Sequence, residues 1–133
     1  MKAQHPKDSV SFAIAIIIGI ALAVTGITAI IAPRFASAMF GVAAAERSAR
    51  VYFFATGLRD IAIGCWLVAL AGMGAGSRIL GASLIVLALI PVGDALILWM
   101  NAAELSAIAL ALHILSAIVF LTLGFWLRAV PTS

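Results

Sequence analysis

Four long apolar blocks, residues 10–32, 51–72, 79–100 and 105–127, decide most of what this chain can fold into. Each has about 22 residues, which at a rise of about 1.5 Å per residue crosses a hydrocarbon core of roughly 30 Å. The blocks lack period-two alternation and are too long for strands, so their backbone groups have to be satisfied within helices. Charged residues make up only 10 % of the chain, against the roughly one quarter usual in soluble domains. The expected fold is therefore all-α: an antiparallel four-helix bundle integral to the membrane, with residues 1–133 forming a single domain.

A secretory signal is the rival reading of the first block, because Lys2 and Lys7 precede it and Ala36, Ser37 and Ala38 resemble a cleavage site. Signal cores run to only about 7–15 residues, so the block reads as a retained span. Lys2, Lys7, Arg78 and Arg128 fall on one side of such a bundle, and Arg34, Arg47 and Arg50 on the other. That distribution suits interface anchors and excludes a nucleic-acid footprint, which needs a basic stripe. The slight excess places both termini in the cytoplasm and the protein in a bacterial inner (plasma) membrane as a multi-pass protein. Cys65 stands alone, so it forms no internal disulfide and reads as a small buried packing residue.

The connection from Pro33 to Arg50 is the only long one. Phe35, Met39, Phe40 and Val42 alternate there with small residues, which predicts a short interfacial helix between the first two spans. A lid over one end of the bundle is the second reading.

Polar residues inside the blocks carry the functional argument. Intramembrane charges are costly and mark functional sites. In spans running alternately up and down, Arg59 and Asp60 lie about 12–14 Å from one membrane face, Asp94 about 9 Å, His113 about 12 Å and Thr25 about 10 Å. All five thus share one slab. Gly57, Asp60 and Gly64 follow the spacing of a single helix face, a small-residue stripe that turns Asp60 inward and allows close helix approach. Arg59, about 100° further round, faces either the bundle interior or a subunit interface. Pro91 removes a backbone donor and frees the carbonyl of Leu87, so a kink is expected beside Gly93 and Asp94.

Arg59 stays protonated, so with both aspartates ionised the slab carries one excess negative charge in a poor solvent. A proton is then shared among Asp60, Asp94 and His113, as acid/base chemistry and proton coupling both require. The plain alternative is a buried ion-pair network that fixes helix register. His113 has no second core histidine and no cysteine partner, so no metal and no cofactor is expected. Trp66, Trp99 and Trp126 read first as packing or interface anchors, with Trp66 and Trp99 available to hold a flat ligand. Gly72, Gly74 and Gly76 form a tight turn without the residues of a phosphate loop. Asn101 and Glu104 cap the last turn, with Asn101 placed to guard the entrance to the slab.

The segments Thr56, Gly57, Leu58, Arg59, Asp60 and Pro91, Val92, Gly93, Asp94 resemble the two signatures of a family of small four-helix membrane proteins of unknown function, similar in plan to the DoxX-like membrane proteins. His113 fits the same pattern. The resemblance implies a shared fold and a shared polar site, to which Thr56 belongs through the first segment; it implies no reaction.

Whether the chain is an enzyme is left open. The leading expectation is a site for a small lipophilic ligand such as a quinone, sterol-like or isoprenoid compound. Asp60 and Asp94 would act as acid and base, Arg59 would orient the ligand and His113 would relay a proton, in a double-bond isomerisation or an epoxide opening. A proton-coupled carrier and a non-catalytic subunit of a membrane complex are the alternatives. The lipid bilayer is the expected partner, together with homo-oligomer contacts through small-residue faces.

Overall fold

The computed structural model describes residues 6–40, 47–100 and 106–129, and among these every regular element is an α-helix. They are α1 (Pro6–Ile31), α2 (Pro33–Phe40), α3 (Arg47–Gly72), α4 (Ser77–Leu87), α5 (Leu89–Met100) and α6 (Ala107–Ala129). The stretches Ser9–Ile31, Arg50–Gly72, Ser77–Met100 and Ala107–Ala129 are each long and apolar enough to cross a membrane. Most of their large apolar side chains face outward, as in a protein whose surroundings are lipid.

Two glycine pairings hold α1 to α3. A Cβ on Gly57 would come 2.5 Å from the Gly26 carbonyl oxygen, and one on Gly19 would come 2.8 Å from that of Gly64. Only hydrogen at these positions lets the backbones approach so closely, and the contacts run in opposite order along the two helices. This is the stripe expected from Gly57 and Gly64. Gly81 and Gly124 do the same between α4 and α6, where a Cβ on Gly81 would meet the Gly124 oxygen at 2.6 Å.

Cys65 corrects its expected burial: it is exposed. It follows Gly64 by one residue, so it is turned about 100° away from the face that meets α1.

The third apolar block divides at Ala88 into α4 and α5. Ala88 and Val92 still donate to the carbonyls of Leu84 and Ala88, whereas Pro91 has no donor to offer Leu87. Ala88 keeps a right-handed helical backbone, so what Pro91 removes is a single helical bond, one turn before Asp94. At the other end, α3 closes on Gly74 at φ 75°. There Gly74 donates to Ala71 and Ala75 to Leu70, a reciprocal pair of bonds that satisfies the last carbonyls of the helix.

Two apolar clusters form the interior. One joins Ala15, Leu67, Leu70, Ala71, Leu80, Leu84 and Leu127; the other joins Ala29, Ala36 and Phe53, with Phe40 against it. Asp60 lies between them on α3, two helical turns from Phe53 and two from Leu67. The short helix α2 touches α1, α3 and α6, and its buried residues are Ala36 and Ser37.

Candidate functional site

Asp60 sits on the face of α3 that carries Gly57 and Gly64, and it is buried. Its position follows from the close packing of that face on α1, which leaves a short side chain between two glycine contacts and shields it from the surroundings. Arg59, the next residue round the helix, folds its side chain back so that Nε donates to Asp60 Oδ1 at 3.0 Å. The arginine side chain stays 37 % exposed and the carboxylate 11 %. The guanidinium therefore covers the outer edge of the site.

The second pair joins two other spans. His113 Nδ1 of α6 lies 3.8 Å from Asp94 Oδ2 of α5, with both side chains mostly buried. The pairs are not isolated from each other. Asp60 feels the charges of Arg59, Asp94 and His113, and His113 feels those of Asp94, Arg59 and Asp60. The two pairs, on α3 and between α5 and α6, thus lie within electrostatic reach of each other. A carboxylate beside a guanidinium, and a second carboxylate beside an imidazole, are groups that can give up and take back a proton.

Phe40 packs against the His113 ring. Its ring lies with centroids 5.1 Å from His113 and 5.9 Å from Phe53, the latter in an edge-to-face contact. Sequence reasoning placed Phe40 in a connecting helix but did not pair it with His113. The two residues are far apart in the chain, and no periodicity links them; the only available signal was the aromatic residue beside small ones at the end of a short amphipathic segment.

The other expected site residues lie as follows. Thr56 is buried one turn before Asp60, on the same face of α3. Thr25 is exposed, and its hydroxyl donates to the Ala21 and Leu22 carbonyls of its own helix at 2.8 and 2.9 Å. His113 has Asp94 as its partner. Trp66 and Trp99 are exposed, and Trp66 borders a cleft lined by none of the four ionisable groups. Asn101 and Glu104 lie outside the described residues. Among the described residues, no group of three or more His, Cys, Asp or Glu could hold a metal ion.

No curated protein and no solved structure matches this chain. The family whose description is Domain of unknown function (DUF4267) matches residues 19–127, a span that contains Arg59, Asp60, Asp94 and His113, and the chain belongs to that family.

Proposed function

We propose that this multi-pass membrane protein binds a small lipophilic ligand at the Arg59, Asp60, Asp94 and His113 group and acts on it by acid/base chemistry. What supports the reading is the presence of two charged pairs on apolar helices, Arg59 with Asp60 on α3 and Asp94 with His113 between α5 and α6, with both carboxylates mostly buried. Such groups are expensive to keep among apolar spans and usually line a substrate or proton path.

In this reading the ligand enters laterally from the bilayer and reaches the carboxylates when the Phe40 ring moves off His113. Asp60 and Asp94 serve as base and acid, Arg59 orients a carbonyl or carboxylate of the ligand, and His113 passes a proton to or from Asp94. For a double-bond isomerisation one proton is given to the ligand and one is taken from it, so no oxidant is needed. For an epoxide opening the acid protonates the ring oxygen as one ring C–O bond breaks, and the base takes a proton from the water whose oxygen bonds to the freed carbon. Thr56, adjoining Asp60, lines the same volume. The surrounding arrangement is a single-domain antiparallel four-helix bundle of DoxX-like plan, in a bacterial inner membrane with cytoplasmic termini.

A second reading, a proton-coupled carrier, draws on Pro91, which leaves the Leu87 carbonyl without its helical donor one turn before Asp94, since interrupted membrane helices often bind transported substrates or ions. One experiment separates the readings. Melting of the purified protein in detergent is followed with quinones, sterols, isoprenoids and cationic drugs, because a ligand that binds the folded state raises its apparent stability. The enzyme reading predicts stabilisation by an apolar compound carrying a carbonyl, an epoxide or an isolated double bond, and its chemical conversion. Conversion lost in Asp94→Asn with binding retained supports it; stabilisation by cationic drugs alone, with no product, favours the carrier.

A further inference from the structure

Away from the polar group, a cleft of about 550 Å³ opens along α4, bordered by Trp66 of α3, by Arg78, Ser83, Val86 and Leu87 of α4, and by Arg128 of α6. Arg78 stands in the first turn of α4 and Arg128 in the last turn of α6. The glycine contact between these helices brings the two arginines together. A Cβ on Gly81 would meet Arg128 Cγ at 2.9 Å, so the Arg128 stem lies across α4 one turn beyond Arg78.

Both side chains border the same cleft, and both residues are exposed. The ion pairs among the described residues, Arg59 with Asp60 and Asp94 with His113, involve neither of them. Two cations directed into one cleft repel each other unless an anion lies between them. Guanidinium groups match phosphate oxygens in a paired geometry.

Below the arginines the lining turns apolar. From Arg78 to Leu87 the cleft follows about 13 Å of helix rise, ending where α4 stops. Trp66 flanks it, and the Ser83 hydroxyl is used within its own helix by the Ile79 carbonyl at 3.0 Å. A charged mouth above an apolar trough is the outline of a phospholipid, and basic pockets between membrane helices bind acidic headgroups.

We propose that this cleft is a site for one acidic phospholipid, with its phosphate between Arg78 and Arg128 and the upper part of an acyl chain along Val86 and Leu87 beside Trp66. The site lies apart from the polar group and does not depend on the proposed chemistry. It also differs from simple interface anchoring, in which each arginine reaches the headgroup layer on its own.

The test uses the full chain in nanodiscs, with Trp99→Phe and Trp126→Phe leaving Trp66 as the one tryptophan. Phosphatidylglycerol or phosphatidylcholine carrying brominated acyl chains is added at equal mole fraction, and quenching of Trp66 is read. The expected result is a preference for the acidic lipid on the order of tenfold, reduced to near one by R78Q together with R128Q and unaffected by millimolar inorganic phosphate. Equal quenching by the two lipids overturns the proposal. So does a preference that survives loss of both arginines, or one abolished by inorganic phosphate, which would mark a site for a soluble anion. Absence of quenching by either lipid also overturns it, since a second copy of the chain would then cover the cleft. If the arginine variant does not fold, the comparison of the two lipids on the chain with both arginines decides the matter alone.

Discussion

His113 Nδ1 lies 3.8 Å from Asp94 Oδ2, across the boundary between α5 and α6. The contact links α5 to the last span, and the Phe40 ring packs against His113. Because the pair is joined electrostatically to Arg59 and Asp60, changes at any of the four should be felt at the others.

Coupling within the first pair is the most direct consequence. Arg59→Gln and Asp60→Asn are each expected to destabilise, and the double variant to lose less than the sum. A cycle measured by unfolding in mixed detergent should give an interaction of about 0.5–3 kcal/mol. The partly exposed guanidinium points to the lower half of that range.

The glycine contacts between α1 and α3 predict a steric outcome. In Gly26→Ala the new methyl group would meet the backbone of Gly57 and Ile61, and forced overpacking of this kind costs about 1–3 kcal/mol. Gly93→Ala is the matched control, because a Cβ there meets nothing within 4 Å. Thermal unfolding of both variants checks the contrast: a clear loss for the first and almost none for the second.

Phe40 governs access to His113 if it acts as the cover of the site. Phe40→Ala should speed modification of His113 by diethyl pyrocarbonate several-fold, read by mass spectrometry of the peptide that contains it. The same change removes an edge-to-face contact with Phe53, so a stability loss of about 0.5–1.5 kcal/mol is expected from the aromatic pair alone.

Much of this arrangement was legible in the residues. The spans follow from block length, and the close approach of α3 to α1 follows from Gly57 and Gly64 on one face. The missing helical bond at Leu87 follows from Pro91, which lacks the donor that Leu87 would need. Rotation was less legible. Thr25 lies off the packed face, since Gly26, its neighbour, takes the face that meets α3. Cys65 was misread for the same reason, being adjacent to Gly64 and therefore off the packed face. The Phe40 contact with His113 depends on how α2 crosses three other helices, a long-range relation that no local pattern contains.

Convergence of side chains from separate spans is the claim on which the site rests, and it is tested most directly by cross-linking in native membranes. In a Cys65→Ser background, Asp94→Cys combined with His113→Cys should join rapidly through a bridging mercuric ion, and Asp60→Cys combined with Asp94→Cys should join through a short bifunctional thiol reagent. The account predicts both products, formed within one chain. Free thiols at all three positions, in a protein that still melts cooperatively, would contradict it.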